Sequence, residues 1–216
     1  MIISPGRQFI FVHIPKTGGT SLALALEERA HRDDILIGDT PKAIKRKGRV
    51  KQLAAKGRLW KHSTLADLDG AFASSDLDAM FIFTLVRNPW DRMVSYYHWL
   101  RQQGFDHPAV TLAKASSFTE FVLHPDTDSG LRAFPAARYV TDASGVEHAA
   151  AFVRLEHLSE DLAPVEAHLG LALTVPHANA SSRPDDYRIA YSDRAAEAVA
   201  QMCAADIARF GYQFEA

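Results

Sequence analysis

The sequence predicts an α/β domain whose central sheet is mainly parallel and flanked by helices. Three stretches predict it. Residues 8–14, QFIFVHI, form an apolar, β-branched run that stops at Pro15. Residues 79–86, AMFIFTLV, are apolar without interruption, as in a strand covered on both faces. Residues 151–155, AFVRL, read as a third strand. Each is followed by a helical pattern, and strands alternating with helices imply a parallel sheet.

The first strand leads into KTGGTS and then into LALALEERAHR, a run of strong helix formers without a breaker. Residues 41–58 read as a helix broken at Gly48 and Gly57, and residues 64–78 as loop and short helix. After the second strand, Asn88 suits a helix cap and Pro89 the first helical position. Trp90, Met93, Val94 and Tyr97 then recur at helical spacing, which fits core packing better than an aromatic ligand platform built with Tyr96 and Trp99. Gly104 can end that helix. Short helices are expected at 116–124 and 131–140, around a DTDSG turn. EHLSEDLAPVEAHLGL reads as one helix and NASSRPDDY as a polar loop. A final amphipathic helix runs from Ser192, its cap, to Gly211.

The 216 residues suit one domain with an ordinary core. One cysteine, Cys203, excludes an internal disulfide and a cysteine-built zinc site; within an apolar helix it reads as a buried, inert thiol. No apolar run reaches the roughly 20 residues of a membrane span, and the first residues lack a signal-peptide pattern. A soluble, cytoplasmic protein is expected. Net charge is −2, but nine basic and no acidic residues lie between Thr40 and Ser63, leaving 15 basic against 26 acidic elsewhere. That stripe is either a solvated helix face or a docking surface for an anionic ligand.

Ile14-Pro15-Lys16-Thr17-Gly18-Gly19-Thr20-Ser21 lies between a strand and a helix. Two glycines permit close backbone approach, the helix start offers unpaired N–H groups, and Lys16 with the hydroxyls of Thr17, Thr20 and Ser21 adds charge and donors. Together these make an anion cradle. The spelling is not Walker A, because Lys16 precedes both glycines. The second strand ends at Arg87, where a nucleotide hydrolase would usually carry a metal-holding acid.

This loop resembles the 5′-phosphosulfate loop of the sulfotransferase superfamily, in its carbohydrate-type and bacterial spelling. Leu85-Val86-Arg87-Asn88-Pro89-Trp90-Asp91-Arg92-Met93-Val94-Ser95-Tyr96-Tyr97 resembles that family's 3′-phosphate segment, and the stretch from Asn179 to Tyr212 is similar to the bacterial members. The resemblance is weakest at residues 30–60 and 100–150, the acceptor side. It implies a single domain over residues 1–216 with a P-loop-like three-layer fold. It implies sulfuryl transfer from 3′-phosphoadenosine 5′-phosphosulfate (PAPS), without a metal, to a hydroxyl of a carbohydrate or other small acceptor. By it Lys16, Thr17, Gly18, Gly19, Thr20 and Ser21 hold the phosphosulfate, and Arg87 and Ser95 bind the 3′-phosphate. Arg183, in a late basic loop, is assigned to the same phosphate.

The base is sought among ten histidines. His62 lies between the two phosphate-binding motifs, where related glycosaminoglycan sulfotransferases carry a proposed base; His13, beside the loop, is second. Trp60, next to His62, is the better placed aromatic for a sugar. Arg154-Leu155-Glu156 is expected to pair internally. Two other function classes stand beside sulfuryl transfer: a P-loop-class kinase or NTPase, which would need magnesium, and a non-catalytic module binding phosphoadenosine or a glycan. No fold or interleaved aromatic pattern supports nucleic-acid binding.

Overall fold

Alternation decides how the strands are used in the computed structural model, which describes residues 1–176 and 186–214. In chain order the elements are β1 (Ile2–Ser4), β2 (Phe9–Val12), α1 (Gly19–Glu28), β3 (Ile35–Leu36), α2 (Pro41–Val50), α3 (Ser74–Asp78) and β4 (Phe81–Val86). There follow α4 (Pro89–Arg101), α5 (Pro108–Ala115), α6 (Phe118–Val122), α7 (Pro125–Ala133), α8 (Ala136–Tyr139), β5 (Ala149–Arg154), α9 (Leu158–Asp161), α10 (Ala163–Leu169), α11 (Asp193–Met202) and α12 (Ala204–Phe210). The chain divides into two units, Met1–Val86 with Ala136–Asn179, and Arg87–Pro135 with Ala180–Ala216.

The first unit holds the sheet, in the order β3-β1-β2-β4-β5. β2, β4 and β5 pair in parallel, with Val12 opposite Thr84 and Val86 opposite Arg154. β1 pairs antiparallel with both β2 and β3, so it alone runs against the other strands. The sheet is thus mostly parallel, as expected. Phe9, Phe11, Phe83, Leu85 and Val153 point to one face and pack with Leu22 and Leu26 of α1, Ala43 of α2, and Leu162 and Val165 beyond β5. The alternate residues Ile10, Val12, Ile82 and Thr84 are fully buried too, which is why these strands read as apolar throughout. Thr84 is the polar exception. Its hydroxyl donates to the carbonyl of Val12 at 2.7 Å and so satisfies the last group of β2 where the loop begins.

α2 departs from expectation: it runs through Gly48 to Val50 and ends there. Thr40 caps it, accepting from Ala43 N at 3.1 Å, while the Thr40 hydroxyl donates to the buried Glu27 carboxylate at 2.7 Å. Burial raises the Glu27 pKa. Lys42, Arg46 and Arg49, on one helical stripe, donate to the carbonyls of Glu27, His31 and Asp34. Those contacts tie α2 to the end of α1 and to the connection that follows it, and they offset the weak helix propensity of Gly48. They also make part of the basic stripe structural. Lys56 and Lys61 are paired with Asp69 and Asp39, at 2.9 and 2.6 Å.

In the second unit Asn88 caps α4, accepting from Trp90 N at 3.1 Å, with Pro89 at the first position. Trp90, Met93 and Tyr97 are buried against Phe121, Val122, Val199 and Met202, so this aromatic stripe is core. Trp90 Nε1 donates to Ala196 O at 2.9 Å. α4 ends at Arg101, before Gly104. The DTDSG stretch is helical, inside α7, because His124 caps it, Pro125 opens it and Asp126 and Asp128 lie in its first turn. The expected last helix is two, α11 and α12, divided at Cys203. Ser192 caps the first and Gly211 ends the second in the left-handed region. Burial pushes the Cys203 thiol up to about 11, consistent with an inert group. Among the described residues no helix is long and apolar enough to cross a membrane.

Candidate active site

After β2 the chain turns sharply and enters α1. Lys16 and Gly18 both take left-handed backbone, at φ 66° and 83°. The Thr17 hydroxyl donates to Ile14 O at 2.9 Å and its side chain is buried, so it shapes the loop from inside. The two glycines answer different needs. Gly18 requires its positive φ, and a Cβ there would lie 2.8 Å from Leu155 Cδ1. At Gly19 a Cβ would lie 2.2 Å from His13 Cδ2, because the imidazole is packed on that backbone. Leu155, which walls the loop just past β5, carries no sequence signal as a site residue.

The helix start is unusual in one respect. Among the described helices of eight or more residues, α2, α4, α5, α7 and α11 are each capped by a side chain, and α1 alone is not, with glycine at its cap. A glycine cap offers the first turn no side-chain acceptor, and Ser21 N donates instead to Gly18 O at 3.0 Å. A ten-residue helix with an uncapped start, a glycine cradle and an adjoining lysine suits a bound anion. Gly19→Ala should lower stability by about 1–3 kcal/mol in denaturant unfolding, through overpacking against His13. The loss should shrink markedly in a His13→Ala background, and an undiminished loss there would mean that His13 is not the obstacle.

His13 and His62, 49 positions apart, meet beside this loop. Their ring centroids are 4.6 Å apart at 72°. His62 Nδ1 lies 2.8 Å from the carbonyl oxygen of His13. A carbonyl only accepts, so Nδ1 carries the hydrogen, and in the neutral ring Nε2 keeps its lone pair. Burial lowers the His62 pKa to about 4, with the Lys61 charge acting the same way. Burial, then His62, depress His13 well below the ordinary histidine range. Both rings are therefore neutral near pH 7, and His62 has the form of a base. Trp60 stands against it, ring centroids 5.0 Å apart and planes at 87°.

The structure thus brings together, within the first unit, the 16–21 loop, His13, His62, Lys61 and Trp60. Arg87 and Ser95 belong to the second unit. Arg87 is the first residue past β4, and its Nε and Nη2 donate to Asp91 Oδ2 at 2.8 and 2.6 Å, an i, i+4 pair on the first turn of α4. Ser95 is buried two turns into α4, at 4% exposure. Arg183 lies outside the described residues. Arg154 pairs with Asp161 at 2.8 Å, as anticipated for that run.

The sulfotransferase family model matches residues 1–213. The chain belongs to the sulfotransferase family. This sulfotransferase-family chain is also similar to a solved structure described as mouse sulfotransferase SULT7A1 complexed with PAP. The similarity has a TM-score of 0.38 and 17% identity, over 80% of this chain. It spans 61% of the chain of that structure. No curated protein matches it. Family membership agrees with the resemblance carried by the 14–21 and 85–97 segments.

Proposed function

We propose that this sulfotransferase-family chain, acting as one domain over its length, moves the sulfuryl group of PAPS to a hydroxyl of a carbohydrate or other small acceptor. One observation carries the reading: a neutral histidine, fixed in its tautomer by the backbone of His13, stands beside a glycine loop that opens an uncapped helix.

The residues fit the co-substrate. Lys16, the Gly18 and Gly19 amides and the hydroxyls of Thr20 and Ser21 hold the phosphosulfate; Thr17 serves through its backbone, its hydroxyl being engaged with Ile14. Arg87 and Ser95 take the 3′-phosphate, and Arg183 is proposed to join them. The acceptor oxygen attacks sulfur in line as its proton passes to His62 Nε2. The bond from sulfur to the bridging oxygen breaks, and adenosine 3′,5′-bisphosphate leaves with that electron pair. Lys16 stabilises the charge gathering there. A sulfuryl group carries less charge than a phosphoryl group, so the mechanism calls on no metal, and positioning supplies much of the acceleration.

Titration calorimetry with adenosine 3′,5′-bisphosphate, followed by a labelled-sulfate acceptor screen, tests the reading. Absence of binding ends it. Arg87→Ala should weaken the bisphosphate by about ten- to a hundredfold, the range for a charge-assisted contact, and adenosine 5′-monophosphate far less. Equal losses for both nucleotides would place Arg87 elsewhere. Magnesium-dependent ATP turnover without sulfate transfer would favour a kinase or NTPase instead.

A further inference from the structure

We propose that Trp60 is the platform on which a pyranose ring of the acceptor rests. The inference deepens the reading above and depends on it.

Most large aromatic side chains here are packed into the two cores, but Trp60 is 51% exposed. A rigid turn carries it. Ser63 N donates to Trp60 O at 3.0 Å. The fully buried Ser63 Oγ accepts from Trp60 N at 2.9 Å and donates to Arg58 O at 3.2 Å. Thr64 and Asp67 form a capping box that fixes the next residues, with Thr64 N donating to Asp67 Oδ2 at 2.7 Å. An exposed indole has few rotatable bonds, and on a turn held this firmly it costs little ordering entropy when something settles on it.

The indole and the His62 imidazole meet almost at right angles. They make a corner: the indole supplies a flat apolar wall, and the imidazole, whose Nε2 lone pair lies in its own ring plane, stands beside it. A pyranose ring has a face of C–H groups and a rim of hydroxyls lying near the ring plane. Laid on the indole, it covers apolar carbon and keeps its rim of hydroxyls beside the imidazole. The neighbouring Lys61–Asp39 pair, in which the Asp39 side chain is 66% exposed, offers a donor and acceptors for further hydroxyls. A simple phenol could stack but has one hydroxyl, and an aliphatic alcohol has no face to stack. The corner therefore favours a sugar ring with several hydroxyls.

The test is saturation-transfer NMR on the full chain loaded with adenosine 3′,5′-bisphosphate. The probes are the methyl glycosides of glucose, galactose and mannose, with p-cresol as the comparison. At least one glycoside should bind, with transfer strongest at its ring C–H protons. Trp60→Ala should weaken it about tenfold or more, and Trp60→Phe by no more than about threefold, because a smaller aromatic face remains. Bisphosphate affinity should be the same in all three proteins. No glycoside binding, binding indifferent to Trp60→Ala, or p-cresol binding more tightly through Trp60 overturns the platform. Intact bisphosphate binding in those cases leaves sulfuryl transfer standing, whereas failure of wild type to bind the bisphosphate removes both.

Discussion

Lys16→Ala should reduce turnover by about two to three orders of magnitude, the range seen when a group that stabilises developing charge is removed. Folding should be untouched. The reason lies in the backbone. Lys16 sits at φ 66°, a conformation that costs an ordinary L-residue roughly 1–2 kcal/mol, and alanine bears the same cost. Lys16→Gly separates the two effects. It relieves the left-handed strain and adds entropy to the unfolded chain, so stability should stay within about 1 kcal/mol of wild type. Activity should be as low as in the alanine variant. Single-turnover rates with PAPS, beside denaturant midpoints, check both. Retained turnover in either variant would remove Lys16 from the chemistry.

That strain also explains why the loop could be read from the sequence while its geometry could not. Glycines, lysine and hydroxyls between a strand and a helix announce an anion site through composition alone. Which glycine serves which purpose depends on Leu155 and His13, one of them more than a hundred positions away. The uncapped start of α1 is visible only against the capped starts of the other helices of eight or more residues. Thr17 looks like a donor in sequence, but it is turned inward onto Ile14.

The fold shows the same division. β2, β4 and β5 are long enough for apolar runs to betray them, and Asn88-Pro89 marks the start of α4 chemically. β1 and β3 span three and two residues, below the length at which periodicity carries a signal, and they form only by pairing with the rest of the sheet. Gly48 looked like a breaker because propensity is local, whereas the contacts of Lys42, Arg46 and Arg49 reach 15 positions along the chain. The basic stripe likewise divides into residues that brace α2 or pair with aspartates and residues, such as Lys45 and Lys47, that face solvent. Net charge gives no hint of that division.

His62→Ala should cost about a hundredfold or more in kcat, the usual yield of a positioned base. Alanine alone is ambiguous, because it also deletes the hydrogen bond to His13 O and the ring against Trp60. His62→Asn resolves this. An asparagine amide can still donate near the place of Nδ1, yet offers no basic nitrogen in place of Nε2. It should fold like wild type and be as slow as the alanine variant; near-normal turnover would return the base to His13. The pH profile gives an independent check. Because burial holds the free His62 at about 4, the imidazole is already neutral across the mildly acidic range. Below that value it is protonated and cannot accept the acceptor's proton. kcat/KM, which reports the free enzyme, should fall toward acid with a midpoint near about 4 and stay level from roughly pH 6 to 8. A midpoint at the ordinary histidine value, near 6.5, would mean that the essential base is solvated. No buried imidazole donating to His13 could then be that group.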